Sequence, residues 1–213
     1  MKRLIGHLGI IVLLLLPVCM VHAAPVPVLT DVVVPSYGIG DTSSDYTNGF
    51  EFSVDTNVIV TALGIYDDGN DGLAWTHQVG IWDITNPGTP IISDTVPAGT
   101  AATLVDNYRY IAIPEASRPT LLAGHTYRIG GETWGDPWIW AGTFSADSRI
   151  TVTKDGVWKS LVPGTFGYPE KEVSGANYLT ANFQIDAVPI PGAVWLLGSG
   201  LLGLVGIRKK LHK

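Results

Sequence analysis

"VIVTALGIYDDGNDGLAWTHQVGIWDI", residues 58–84, holds two apolar segments on either side of a loop rich in glycine and aspartate. Residues 58–67 and 77–84 are rich in β-branched and aromatic side chains, which favour strands. The loop between them is built from Asp, Asn and Gly, the residues that form tight turns. The stretch therefore predicts two strands joined by a turn-rich loop, and it indicates a β-rich fold.

The same pattern continues along most of the chain. Asp155-Gly156 is a hairpin signal, because this dipeptide suits a two-residue β-turn. No helix-length periodic segment separates the apolar runs, which argues against a βαβ fold. We therefore predict an all-β domain over residues 24–187, an antiparallel β-sandwich that is jelly-roll-like. Its further strands are predicted at 49–54, 90–98, 108–114, 126–134, 138–145, 150–154, 157–161 and 177–186.

The first residues have the pattern of a secretory signal peptide. Two basic residues precede the apolar run 8–21, and small residues follow at Ala23 and Ala24. A first transmembrane helix is the alternative, but the run is shorter than the ~20 residues of a span and Pro17 interrupts it. We therefore expect a signal helix over residues 1–23 and export across the inner membrane.

The charges are distributed unevenly between the ends and the body. All 19 acidic residues but only seven of the 13 basic residues lie within 24–187, so that this part has a net charge of −12. Such a body repels phosphate, which excludes nucleic acid as a partner. The single cysteine, Cys19, lies in the predicted signal peptide. The exported domain is therefore expected to lack disulfides, thiol metal ligands and a thiol nucleophile.

The last segment, "VPIPGAVWLLGSGLLGLVGIRKKLHK" (188–213), joins a proline motif, an apolar run and a basic cluster. Residues 193–207 carry no charge, and as a helix they cover about 22 Å of the ~30 Å hydrocarbon core. Snorkelling of Arg208, Lys209 and Lys210 extends that span. We predict a C-terminal transmembrane helix whose basic stop stays on the cytoplasmic side.

This segment resembles the C-terminal sorting signals of the PEP-CTERM class, especially the VPLPA-type variant. The resemblance makes Val188, Pro189, Ile190 and Pro191 the sorting motif. Ile190 departs from the main class, which has glutamate there, and Gly192 stands where the variant often has alanine. The resemblance implies an exosortase-like membrane protease as partner, which cuts near the motif and passes the protein to the cell surface or the extracellular matrix. A permanent membrane anchor is the alternative.

A second resemblance covers most of the body. Residues 60–63 ("VTAL"), the pair Trp82-Asp83 and the pattern "LAGHTY" (122–127) are similar to an uncharacterised β-sandwich domain of exported bacterial proteins. That resemblance implies a fold and no activity.

The loop after the first quoted strand contains Asp67, Asp68 and Asp71, which we consider as a calcium site. Asp67 and Asp71 match positions one and five of a calcium loop, and Gly72 matches the sixth. Gly69 and Gln78 stand where further oxygen ligands are expected. An ordinary turn is the alternative, because turns need the same residues.

Exposed tryptophans are the other candidate ligand site. "WGDPWIW" (134–140) places Trp138 and Trp140 two residues apart, hence on one face of a strand. Trp75, Trp134 and Trp138 are the candidates for stacking on the sugars of a glycan or exopolysaccharide. Core packing is the alternative, and we expect it for one member of the 138/140 pair.

No motif for a hydrolase, a phosphate loop or a metalloprotease occurs in the sequence. The expected function is therefore that of a non-enzymatic surface or matrix protein without a cofactor, calcium aside. A carbohydrate-binding module is the alternative, and a hydrolase that uses two carboxylates among the 19 acidic residues is a third hypothesis.

Overall fold

The computed structural model describes residues 24–160 and 165–187, and this part is all-β with antiparallel pairing throughout. Two 3-10 turns, Asp68–Asn70 and Glu115–Ser117, are the helical elements of the described residues. The strands are β1 Val26–Pro27, β2 Leu29–Val33, β3 Tyr46–Val54, β4 Val58–Tyr66, β5 His77–Asp83, β6 Ile92–Val96, β7 Thr103–Val105, β8 Tyr108–Ala112, β9 Thr120–Leu121, β10 Thr126–Glu132, β11 Thr143–Ala146, β12 Ile150–Ser160, β13 Lys171–Glu172 and β14 Ala181–Ala187.

The strands form two six-stranded sheets and one small pair. The first sheet has the order β1-β14-β4-β8-β7, and β9 also pairs with β4. The second sheet has the order β13-β12-β3-β10-β5-β6, and β11 pairs with β2. The predicted all-β class is confirmed.

The hydrophobic core lies between the two large sheets. Side chains two residues apart on a strand share a face, and on β3 the inward row contains Phe50, Phe52 and Val54. The ring of Phe52 lies 5.0 Å from that of Phe183 on β14, centroid to centroid, which joins the two sheets. Burial of such rings is the main stabilising term of this fold.

The predicted hairpin at Asp155-Gly156 is wrong, because β12 runs through both residues. The register of β12 against β3 shifts on both sides of Lys154, which marks an irregular, bulged strand. Among the described residues with positive φ, neither Asp155 nor Gly156 appears, whereas the predicted turn requires positive φ. Glycine is needed for space instead: a Cβ at position 156 would lie 2.7 Å from the Ala176 carbonyl oxygen.

The predicted strand 138–145 is shorter in the structure, where β11 starts at Thr143. Ile139 is fully buried in the core and bridges Ile39, whereas Trp138 and Trp140 on either side of it are half-buried. The expectation that one of these tryptophans fills the core is therefore wrong. Because side chains alternate between the two faces of an extended chain, Ile139 points into the core and its two neighbours do not.

Candidate functional site

The predicted signal peptide and sorting segment lie outside the described residues. This applies to residues 1–23, to the motif Val188, Pro189, Ile190 and Pro191, and to the stop Arg208, Lys209 and Lys210. Within 24–160 and 165–187, no helix has the length and apolar character needed to cross a bilayer. The last described strand, β14, ends at Ala187, one residue before the motif.

The aspartate-rich loop is held by a buried ion pair. Asp67, 2% exposed, receives a hydrogen bond from Arg109 Nε at 2.7 Å and one from the Gly72 amide at 3.1 Å. Arg109 also donates to the carbonyl oxygens of Asn70 and Ala102. The guanidinium therefore fastens the loop to β8, the strand that carries Arg109.

The three aspartates of the proposed calcium site do not converge. Asp67 faces Arg109, Asp68 accepts a hydrogen bond from the Tyr66 hydroxyl at 3.2 Å, and Asp71 is exposed. Burial and the neighbouring Asp68 raise the pKa of Tyr66 to about 12, so its hydroxyl stays a donor at neutral pH. In the part of the chain that the structure describes, no three His, Cys, Asp or Glu side chains are grouped to hold a metal. The loop therefore has the structure of a turn, with a 3-10 turn at Asp68–Asn70.

Trp75 and residues 134–136 form one surface, which we call the tryptophan turn. Asp136 accepts hydrogen bonds from the amides of Ala74 and Trp75 and lies 2.8 Å from Nε2 of the buried His77. The Trp75 indole lies directly on Gly135, where a Cβ would be 2.1 Å from the ring. Trp75 and Trp134 are 57% and 41% exposed, so two of the three candidate tryptophans share this surface.

Asp136 makes the tryptophan turn sensitive to acid. Burial opposes ionisation of Asp136, but the hydrogen bonds from His77, Ala74 and Trp75 outweigh it, and the pKa of Asp136 lies below its usual 3.8. A lowered folded-state pKa adds stability that is complete above the unfolded value and is lost as the pH falls through the folded value.

We therefore expect Asp136→Asn to lower the unfolding free energy by about 1–3 kcal/mol at pH 7, because a charged acceptor of three hydrogen bonds is lost. The difference between wild type and variant should shrink as the pH falls from 6 to below 3.8. Urea unfolding at several pH values measures it, with the exposed Asp94→Asn as control. An equal difference at every pH would contradict the assignment.

Trp138, the third candidate, lies in a separate cleft of about 290 Å³. Tyr46 and Asn48 continue the inward row of β3 beyond Phe50, and Trp158 is the neighbour of Asn48 on β12. Trp138 and Tyr178 complete the aromatic walls. The inward-facing side chains of β3 therefore line a partly open cleft at one end of the strand and the hydrophobic core at the other.

The aromatic walls of this cleft hold one another edge to face. The Tyr46 ring lies 5.7 Å from Trp138 and 5.6 Å from Trp158, at interplanar angles of 72° and 89°. Tyr178 meets Trp138 at 5.8 Å in the same way. These geometries are favourable for aromatic pairs, so the walls are preformed. Gly40 is required behind them, because its Cβ would lie 2.1 Å from the Trp138 ring.

Polar groups of the cleft lack protein partners. Asn48 is 1% exposed, and within the described residues neither its Nδ2 nor its Oδ1 has a hydrogen-bond partner. The buried Nε1 of Trp138 likewise has none there. Asp41 at the rim is held by Ser43 and Ser44, and these hydrogen bonds, chiefly from Ser43, lower its pKa and keep it ionised.

Two acidic residues on the outer face of the second sheet, Glu51 and Glu172, are paired with cations. Arg128 pairs with the buried Glu51 at 2.8 Å and with Glu172, and Lys154 contacts both carboxylates, at 3.0 and 2.7 Å. Glu172 is half-exposed and lies in the short strand β13, where Arg128 and Lys154 hold its carboxylate. Trp82 is buried on this same face, 5.3 Å from the ring of Phe166, and not in the core between the sheets.

Searches against protein-family models, curated proteins and solved structures found no match for this chain. The sequence arguments singled out Trp138 but missed Tyr46, Asn48, Trp158 and Tyr178 as its neighbours. One signal was present: period-two alternation places Asn48 in the row of Phe50 and Phe52, where a polar residue is unexpected. The other walls come from distant parts of the chain, and alternation cannot place those.

Proposed function

We propose that this chain is an exported, non-enzymatic protein of the cell surface or extracellular matrix, sorted through a PEP-CTERM-like signal over residues 188–213. The observation that carries the proposal is the order of motif, apolar run and basic stop in that segment. The described strands fit the proposal, because all of them precede the motif. A cut at the motif would leave every strand of the described residues in place.

For the body we propose a jelly-roll-like β-sandwich. The chain crosses between the two large sheets from β3 to β4, from β4 to β5, from β6 to β7, from β9 to β10 and from β13 to β14. The successive strands β3 and β4 lie beside β10 and β8 in their respective sheets. The β3–β4 segment and its partners β8 and β10 thus form a two-stranded ribbon that passes from one sheet to the other. A ribbon of this kind is typical of a jelly roll and supports that description.

The arrangement of the carboxylates supports a non-enzymatic body. A glycosidase needs one carboxylic acid with a raised pKa beside a free carboxylate. Glu51 and Glu172 are brought together, but Lys154 and Arg128 lie between them, and the hydrogen bond from Lys154 lowers the pKa of Glu172. This pair is arranged as a structural ion-pair network.

Intact-mass measurement of the protein from the cells that make it tests the sorting proposal. We expect a species that lacks residues 1–23 and ends near the motif. The double variant Pro189→Ala/Pro191→Ala should accumulate in the membrane fraction with Lys213 intact, whereas Pro87→Ala/Pro90→Ala, in a surface loop, should be processed normally. Wild-type protein found in the cytosol with Met1 and Lys213 intact would refute the proposal.

Glycan binding is a second candidate function, favoured by the two exposed tryptophans of the tryptophan turn. Exposed indole faces stack on sugar rings through apolar C–H surface. The partner would be a glycan or exopolysaccharide outside the cell. Its test is combined with the experiment at the end of the next section.

A further inference from the structure

We propose that the aromatic cleft, and not the tryptophan turn, is a binding site for one sugar residue of a neutral glycan. The inference rests on the second candidate function for its ligand class, a glycan, but it assigns that ligand to a different site and gives it a charge class. The cleft is defined by Tyr46, Asn48, Trp138, Trp158 and Tyr178, with Asp41 at its rim.

Asn48 is a buried polar residue that is costly for the fold. A buried amide without partners destabilises a fold, and in native structures such groups need an explanation. Asn182, also fully buried, shows the usual solution: its amide makes three hydrogen bonds, two of them to the main chain of Leu29. Asn48 makes none within the described residues, although it lines a cleft. Its unpaired donor and acceptor are therefore the groups that a ligand in the cleft would satisfy.

The unpaired groups of the cleft define which ligand chemistry fits it. The ligand must accept from Asn48 Nδ2 and donate to Asn48 Oδ1. It must also present an apolar face to the rings. A pyranose ring combines vicinal hydroxyls, which donate and accept, with patches of axial C–H bonds. Both demands are met in one small molecule.

The residues of the cleft do not suit charged ligands. A quaternary ammonium would suit the aromatic rings, but it offers neither donor nor acceptor and would leave Asn48 unpaired. An anionic sugar would meet the Asp41 carboxylate at the rim. Lys171 lies over the Trp158 ring, 4.6 Å from its centroid, but it is not among the residues that line the cleft. A neutral sugar is the class that remains.

The volume of the cleft and its fixed walls also suit a single sugar ring. A volume of about 290 Å³ lies near the small end of the usual range for ligand pockets, about 300–1,000 Å³. The walls are fixed by edge-to-face contacts and by the absence of a side chain at Gly40. Burial raises the pKa of Tyr178, which keeps its hydroxyl protonated and able to donate. The aromatic walls therefore need little rearrangement, whereas the Asn48 amide, 1% exposed, must turn toward the ligand.

Calorimetry on the full chain tests the inference, in a polyoxyethylene detergent so that no sugar headgroup competes. The probes are cellobiose and maltose, with choline and glucuronate as the charged alternatives. We expect at least one neutral disaccharide to bind with a Kd of about 1 mM or tighter. Asn48→Leu should weaken this binding at least about 10-fold, because the hydroxyls lose their partner.

The melting temperature of Asn48→Leu distinguishes a ligand-binding amide from a structural one. Leucine has the same branched skeleton, although it is bulkier, and no polar atom, so Tm should stay within about 2 °C of wild type or rise. Asn48→Ala, which removes the same amide without a branched side chain, is measured beside it. The matched control Trp75→Ala/Trp134→Ala removes the tryptophan turn's rings and should retain binding within about 2-fold.

Four results would overturn the inference. They are binding of neither disaccharide, binding of choline that survives Asn48→Leu, a loss of Tm in both Asn48 variants, and loss of sugar binding in Trp75→Ala/Trp134→Ala but not in Asn48→Leu. The last would leave the glycan candidate standing at the tryptophan turn. None of them bears on sorting, which intact mass decides separately.

Discussion

Arg109→Met is expected to lower the free energy of unfolding by about 3–5 kcal/mol, the usual cost of removing one partner from a buried ion pair. Arg109 and Asp67 are 5% and 2% exposed, and their atoms Nε and Oδ2 are 2.7 Å apart. Without the guanidinium, Asp67 is a buried carboxylate whose remaining side-chain hydrogen bond comes from the Gly72 amide. The carbonyl oxygens of Asn70 and Ala102 lose a donor as well.

Urea unfolding of the full chain, followed by tryptophan fluorescence, measures this loss. The matched control is Arg149→Met, because Arg149 pairs with Asp147 at 2.8 Å but its side chain is 23% exposed. For that pair we expect about 1 kcal/mol or less. The double variant Asp67→Asn/Arg109→Met should be more stable than the two single losses added together, since no charge is left buried. Equal losses in Arg109→Met and Arg149→Met would show that the buried pair has no special role.

Asn182→Leu is expected to cost about 3–5 kcal/mol, because three buried backbone groups lose their partner at once. Asn182 Oδ1 accepts from the amides of Leu29 (3.1 Å) and Phe183 (2.8 Å), and Nδ2 donates to the Leu29 carbonyl (2.9 Å). The Val28 amide bonds to the Phe183 carbonyl at 2.9 Å. The side chain therefore extends the pairing of β14 with the N-terminal segment to the start of β2.

The same substitution at Asn48 provides a direct comparison for Asn182→Leu. Asn48→Leu should change the unfolding free energy by less than about 1 kcal/mol, since its amide has no partner among the described residues to lose. Hydrogen exchange should accelerate at the Leu29 amide in Asn182→Leu and stay unchanged there in Asn48→Leu. If both variants lost several kcal/mol, Asn48 would be a structural residue, and the proposed sugar site would lose its main argument.

The all-β class and most strand positions were predictable from the sequence, because period-two alternation and β-branched runs act locally. Residues 58–67 and 77–84 became β4 and β5 with ends moved by one residue. The prediction failed where one local signal has two outcomes. Asp155-Gly156 suits a hairpin turn, but glycine also suits a bulge against a neighbouring backbone, and only the contact with residue 176 decides between them.

The candidate sites were predictable only in part. The tryptophan turn was indicated by "WGDPWIW", but its link to Trp75 depends on Asp136, whose bonds to residues 74 and 75 span 62 and 61 positions of the chain. The calcium hypothesis considered Asp67 without Arg109, which lies 42 residues further along. Ion pairs of this kind leave no local pattern, so no reading of the loop alone could find them.

The sequence by itself determined the strand content, the acidic body and the composition of the two end segments, since these follow from side-chain chemistry along the chain. The tertiary structure decided which polar groups meet. It paired Asp67 with Arg109, gave Asn182 three partners and left Asn48 facing aromatic rings from three other segments. The reason is physical: whether a buried polar group stabilises a fold or is free for a ligand depends on its neighbours in space, and sheet packing brings these from distant positions.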